Sequence, residues 1–299
     1  MYKKLHRTDS FIAAFSHVLL VFASILCLFP FILLITSSLT AESTITSFGY
    51  RLIPKRWSTD AYSYIMNRMQ TIGRAYGITF LVTTVGTSLS ITVTSMLAYA
   101  LSQSTLPGRK VLAFMVVFTM LFSGGLVPSY LWYINYLHIK NTLWALLFPG
   151  LLTNGFIIMI ATNYFRINVP NEVIEAARID GAGEFKIFYS VVIPFSTPIL
   201  ASIGLMQGLM YWNDWRNGLY YITDSKYYSI QNILNRMISE AQFLATSEIT
   251  NYSQESLATI PTASLQMAIA VIAAIPIMIL YPFFQKFFAK GLTIGAVKG

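Results

Sequence analysis

Cysteine and histidine are nearly absent from this 299-residue chain, and charge is scarce. A single cysteine, Cys27, can form neither an internal disulfide nor a thiolate metal cluster, which excludes structural redox and zinc chemistry. His6, His17 and His138 are scattered without metal-ligand spacing. There is no Gly-x-Ser-x-Gly elbow, no phosphate-binding loop of the Gly-x4-Gly-Lys-Ser/Thr kind, and no pair of carboxylates placed for acid–base work. Neither a catalytic residue nor a cofactor or metal site is expected. Interleaved basic and aromatic stripes of the kind that grip nucleic acid are also missing, so the net charge of +8 reads as juxtamembrane lysine and arginine, with no nucleic-acid partner.

Charged residues make up 11% of the chain against about 25% in ordinary soluble domains, and 55% are apolar. Six intervals contain no Asp, Glu, Lys or Arg at all: 10–41, 75–108, 111–139, 141–165, 187–213 and 256–285. Each is long enough to cross a hydrocarbon core about 30 Å thick, which takes about 20 helical residues. Every backbone amide in lipid must be satisfied within its own segment, and runs this long suit helices rather than short alternating barrel strands. The expected fold is an all-α polytopic membrane protein with six transmembrane helices, surrounded by membrane lipid. The first span, Phe11 to Leu39, is roughly twice the apolar stretch of a cleaved signal peptide, so it reads as an uncleaved anchor.

Lys3, Lys4 and Arg7 precede the first span, and basic residues at a membrane end tend to remain in the cytoplasm. Six crossings then put both termini inside, with 166–193 cytoplasmic and 42–75 and 214–258 outside. The bias is slight, eleven basic residues inside against nine outside, because Arg51, Lys55, Arg56, Arg68 and Arg74 crowd the first outer loop. The spans also lack the mid-membrane carboxylate or cation by which gradient-driven carriers couple an ion to movement. That lowers the case for a carrier working alone and points to energy supplied by another subunit.

Against this background one polar island stands out: Glu175, Arg178, Asp180, Glu184 and Lys186 fall within twelve positions. Pro170 suits a helix's first turn, and 171–179 are good helix formers. Glu172, Glu175 and Arg178 make a polar stripe, while Val173, Ala176 and Ala177 share another face. Asp180 and Gly181 read as a turn, and a second helical stretch from Gly183 sets Phe185, Phe188 and Val192 along an apolar side, with Pro194 at the entry to the fifth span. The two alanines offer so little side chain that another protein's backbone can approach, with Glu175 and Arg178 fixing register.

Glu175-Ala176-Ala177, three residues, Gly181, nine residues, then Val191-x-Ile193-Pro194 resembles the EAA loop of type I ABC importer permeases, whose pattern runs E-A-A-x3-G-x9-I-x-L-P. Val191 for Ile and Ile193 for Leu are the departures, both conserving volume. "AYALSQSTLPGRK" (98–110), "SGGLVPSYLWY" (123–133) and "KGLTIGAVKG" (290–299) are similar to segments of the family's carbohydrate branch, so the likeness covers about 75–299. The resemblance implies a type I ABC importer transmembrane core over 75–285, with the cytoplasmic EAA loop at 170–194. Residues 1–74 hold the N-terminal end, first span and outer loop, and 286–299 a cytoplasmic tail. It further implies a bacterial plasma-membrane subunit that forms a heterodimer with a second homologous permease. Two ATP-binding ATPase subunits, an extracellular solute-binding protein and a carbohydrate cargo, an oligosaccharide, complete the system. Glu175, Ala176, Ala177, Asp180 and Gly181 are the positions expected to transmit ATPase closure. A permease for peptides or amino acids, and a stand-alone secondary transporter, are the competing readings.

Other features carry two readings each. Gly204-x-x-x-Gly208 permits close helix approach, within the chain or against the partner permease. Asn154, Gln207 and Asn213 are polar candidates for a solute path or for ordinary interhelical hydrogen bonds. Tyr130, Trp132, Tyr133, Tyr211, Trp212 and Trp215 form an interfacial aromatic belt or a stack for sugar rings. Ile230, Ile233, Leu234, Met237 and Ile238 predict an amphipathic helix over 228–241, and the polar stretch 246–256 beyond it is expected to meet the binding protein. Gly124, Gly125 and Pro128 loosen the third span, and Pro30 kinks the first.

Overall fold

The computed structural model describes residues 2–67, 69–246 and 262–294, and among them the chain is helical, with no β-structure beyond one isolated bridge between Thr40 and Trp57. Two compact units emerge: Met1–Met69 with Arg236–Ile275, and Gln70–Asn235 with Pro276–Gly299.

In the first unit, α1 (Tyr2–Ser38) contains the candidate span Ile12–Ser38. Its Phe15, Leu19, Phe22 and Leu26 are all exposed, as a helix apolar on every side must be when lipid is its solvent. Pro30 sits inside this one helix. Two short helices follow, α2 (Glu42–Phe48), closed by Gly49 at φ 72°, and α3 (Asp60–Asn67). The connecting loop folds back on the end of α1 through Ala41 N–H to Arg56 O, 3.1 Å, and Ser58 N–H to Leu39 O, 2.9 Å.

The second unit starts with α4 (Met69–Ser102), whose buried positions Ala75, Thr79, Val82, Gly86, Ser90, Thr94 and Ala98 recur in steps of three and four and form a stripe of mostly small side chains. α5 (Arg109–Leu121) and α6 (Leu126–Asn135) meet at a 116° bend, where Gly125 takes φ 82°. The glycines of the third interval thus break it rather than loosen it. The fourth interval is divided as well, into α7 (Trp144–Leu147) and α8 (Gly155–Asn168), with Gly150 at φ 68° between them.

Then come α9 (Asn171–Ile179) and α10 (Glu184–Ile187), a π-helical turn at Phe188–Val192, α11 (Ile193–Phe195) and α12 (Thr197–Trp212). The chain turns by 84° at Ser196. Pro198 has no N–H to continue the preceding ladder, so the break falls two residues beyond Pro194, the expected entry point. α13 (Arg216–Tyr221), α14 (Ile230–Thr246) and α15 (Thr262–Ile294) complete the order. α14 is the amphipathic helix expected at 228–241. Of the polar stretch 246–256, residues 247–256 lie outside the described residues, as do 295–299 of the tail; 286–294 continue α15.

Among the described residues two helices are long and apolar enough to cross a membrane, and up to four if each bent pair is one span. Two apolar clusters sit about 25 Å apart along α4, since Val82 belongs to one and Ala98 to the other. The first packs Tyr211, Tyr221 and Ile222 against Leu146 and Leu147. The second gathers Tyr99, Phe165, Ile174, Ile187, Phe188 and Val192 beneath α9.

Candidate functional site

α9 begins at Pro170, which serves as the N-cap in extended conformation (φ −64°, ψ 128°) and so stands one place outside the helix. Glu172 in the first turn and Arg178 in the last oppose the helix dipole favourably. The C-terminus closes with paired bonds: Ala182 N–H reaches back to Ala177 O at 2.9 Å, and Gly181 N–H to Arg178 O at 3.0 Å. That is a Schellman closure, which needs a left-handed residue, and Gly181 supplies it at φ 79°. Asp180 is the C-cap.

Ile174 is the buried anchor of α9, and burying such a side chain stabilises the seated helix by about 1.5–3 kcal/mol. Ala177 is half-buried and packs inward on the same cluster, while Glu175 and Ala176 are exposed. The two alanines therefore do not share one face. Ile179 is 86% exposed and Phe185 70% exposed, so Phe185 does not join Phe188 and Val192 on the buried side. The outer surface of the island combines Val173, Glu175, Ala176, Ile179 and Phe185, apolar side chains among acids.

Arg178 departs from the stripe it was grouped with. Its Nε donates to Glu184 Oε1 at 2.9 Å and its Nη2 to Gln103 Oε1 at 3.0 Å. Glu184 Oε2 in turn accepts from Tyr99 Oη at 2.6 Å. The bond to Glu184 holds the Arg178 guanidinium further above neutral pH than an ordinary arginine, so the pair stays ionised. Tyr99 and Gln103, at the end of α4, escape a reading by spacing because 85 residues separate Tyr99 from Glu184. Arg178 and Glu184 were visible as charges, but six residues across a turn is no helical pair spacing.

The polar positions all make hydrogen bonds within the chain. Gln207 is fully buried and donates to Ser90 Oγ across the α4–α12 interface. Asn154 is the N-cap of α8, its side chain accepting from Phe156 N–H at 3.0 Å and Ile157 N–H at 3.3 Å; it also borders a cavity of about 690 Å³ lined by Leu112, Met115, Thr119 and Met120. Asn213 closes α12, its Nδ2 donating to Leu209 O at 2.9 Å. Gly204 and Gly208 both face α4 within the chain: a Cβ at Gly204 would lie 3.0 Å from Ile91, one at Gly208 3.6 Å from Thr87. Tighter still is Gly86, where a Cβ would meet the Tyr211 ring at 2.6 Å. Residue numbers fall along α12 as they rise along α4, so the helices are antiparallel and closely seamed. Tyr211 and Trp212 are buried in this scaffold, not in an interfacial belt, while Trp132 and Trp215 remain exposed.

No group of His, Cys, Asp and Glu suited to a metal occurs among the described residues. Residues 97–294 match the family described as binding-protein-dependent transport system inner membrane component. The chain is 38% identical over 283 residues to the polygalacturonan/rhamnogalacturonan transport system permease protein YtcP of Bacillus subtilis, covering 94% of this chain and 96% of that protein. To the arabinooligosaccharides transport system permease protein AraQ of Halalkalibacterium halodurans it is 28% identical, over 93% and 94% of the two chains. A solved bacterial ABC transporter involved in import of the acidic polysaccharide alginate has a chain that superposes with a TM-score of 0.79 at 27% identity, over 94% of this chain and 98% of that one. The short helix closed by Gly181, the long apolar helices and these matches lead to one conclusion: the chain is a membrane protein belonging to the binding-protein-dependent transport system inner membrane component family, the permeases of ABC importers.

Proposed function

We propose that this permease imports a carbohydrate, an oligosaccharide, by alternating access driven by ATPases in trans. The observation that carries the mechanism is α9: a short helix closed by left-handed Gly181, anchored inward by Ile174 and presenting Glu175 and Ala176 outward. A rigid element so placed turns closure of a partner into rotation of the helices it adjoins, a rigid-body switch between inward-open and outward-open states. Glu175, Ala176, Ala177, Asp180 and Gly181 are its coupling residues: Glu175 and Ala176 at the docking surface, Ala177, Asp180 and Gly181 in the closure that keeps the helix rigid. The cargo follows from the relatives, whose names specify polygalacturonan, rhamnogalacturonan and arabinooligosaccharides.

The working assembly comprises this subunit, a second homologous permease, two ATPase subunits that hydrolyse the ATP, and an extracellular solute-binding protein. Both termini lie in the cytoplasm of a bacterial cell, and the bent α5–α6 and α10–α12 pairs, the divided α7–α8 stretch and α15 join α1 and α4 as the six spans. Residues 75–285 form the transport core with its loop at 170–194, 1–74 precede it, and 286–299 follow. Mild detergent extraction of the tagged chain should recover the second permease and an ATPase. Reconstituted together, they should hydrolyse ATP faster when a binding protein loaded with oligogalacturonide or arabino-oligosaccharide is added. Recovery of the chain alone, with uptake driven by an ion gradient, would overturn the proposal.

A further inference from the structure

A lever moves only what it is fastened to. α9 is continuous with α8 and, through 180–183, with α10, so those neighbours follow it by chain connection. α4 has no such connection, its end lying more than sixty residues earlier in sequence. It is fastened by side chains instead. Gln103 Oε1 takes Arg178 Nη2, Tyr99 Oη donates to Glu184 Oε2, and the Arg178–Glu184 ion pair joins the two contacts into one network.

Two further observations give the network a mechanical sense. α4 is seamed to α12 over residues 86–91, through Gly86 and Tyr211, Ser90 and Gln207, and Ile91 and Gly204. α12 is reached from α9 through α10 and the 84° bend, so without a second fastening the stroke would enter this pair of helices from one side only. A cavity of about 370 Å³ also borders the network, lined by Met96, Ala100, Leu106, Phe185 and the four polar residues themselves. On that side the side chains meet one another rather than a packed neighbour, although the Tyr99 ring itself is seated against Phe188 in the apolar cluster.

We propose that Tyr99, Gln103, Arg178 and Glu184 are positioning residues, a clamp that makes α4 travel with α9 so that α4 and α12 move as one body. This rests on reading α9 as the ATPase-docking helix. The Arg178 and Glu184 side chains are 34% and 56% exposed, and ion pairs in such settings add little to stability. A role in folding alone therefore predicts almost no phenotype, whereas the clamp predicts a loss of concerted motion.

The test is made on the assembled transporter, with Cys27→Ser and spin labels at Ser104→Cys, just past α4, and Glu172→Cys, at the start of α9. The distance between labels is measured nucleotide-free and trapped with ATP and vanadate. With the clamp intact the separation should be unchanged. In Arg178→Glu it should shift by about one helical turn, roughly 5 Å. The exchange Arg178→Glu with Glu184→Arg should restore the constant distance, because the Tyr99 hydroxyl and the Gln103 amide can each donate or accept. Should Arg178→Glu fail to assemble, Tyr99→Phe with Gln103→Leu removes the same ties without a charge reversal. A distance that stays fixed in these broken-clamp variants, or an exchange no better than the single change, overturns the clamp. The α9 reading is judged separately, by whether α9 cross-links to an ATPase, and that contact should persist in every clamp variant.

Discussion

The α4–α12 seam and the α9 island are built from opposite materials. Along the seam, small and uncharged side chains let two helices close on each other, with Gly86 against Tyr211 and Gly204 against Ile91, and the polar tie between Ser90 and Gln207 is buried. On the island, charges and exposed apolar groups surround a helix seated by one fully buried side chain, Ile174. The seam resists relative movement where Gly86 and Gly204 leave no room beside Tyr211 and Ile91. The island leaves Ile179 and Phe185 uncovered within the chain, and on the proposed reading that surface meets the ATPase. A transporter that borrows its energy needs both: a rigid body to be turned, and a surface by which to turn it.

The comparison breaks most severely if the seam is overfilled. Gly86→Leu drives a side chain into the Tyr211 ring, whose hydroxyl is tied to Leu147 O, and should cost about 3 kcal/mol. The expected outcome is loss of folded protein from detergent extracts by size-exclusion chromatography; a normal yield would show that α4 and α12 are not locked together. Next in size is Gly181→Val, which places a β-branched residue at φ 79° and costs on the order of 1–2 kcal/mol locally. Because this strain sits on the island, the protein should insert and assemble, yet carbohydrate uptake in proteoliposomes should fall at least about tenfold, the equivalent of 1.4 kcal/mol in coupling. Full uptake would remove Gly181 from the mechanism. The smallest effect is expected from Gln207→Leu, which removes one interhelical hydrogen bond worth about 0.6–2 kcal/mol in a membrane. Thermal stability should drop by a few degrees with the uptake KM unchanged, whereas a raised KM would mean that Gln207 touches cargo.

Sequence legibility divides along the same line. The island was readable because its information is local: nine residues of helix, a turn glycine and the next helix start lie within one short stretch, and what differed was the place of Pro170 and the facing of Ala176, Ala177, Arg178 and Phe185. The seam was half readable. Gly204 and Gly208 announce close approach by their spacing, but nothing in α12 points to Gly86, since a lone glycine opposite a tyrosine has no periodic signature. Tyr211 and Trp212 look like belt residues because composition cannot tell an aromatic ring at a membrane edge from one closing a core. The charge-free intervals located the apolar segments but not their breaks at 122–125, 148–154 and Ser196, because glycine and proline permit a bend whose size is decided by packing. Least readable was the Tyr99–Glu184 contact, which joins segments far apart in the chain and depends on the cluster that packs Tyr99 against Phe188.

The central claim is that α9 is the handle by which a separate ATPase turns the transport core. It is tested most directly by placing a cysteine at the exposed Ala176, removing Cys27, and applying a short bifunctional cross-linker to the intact assembly from the cytoplasmic side. A covalent adduct with an ATPase subunit, strengthened when ATP and vanadate trap the closed state, is the predicted result. An adduct that forms only with reagent supplied from outside the cell, or no adduct with any ATPase in an active assembly, contradicts it.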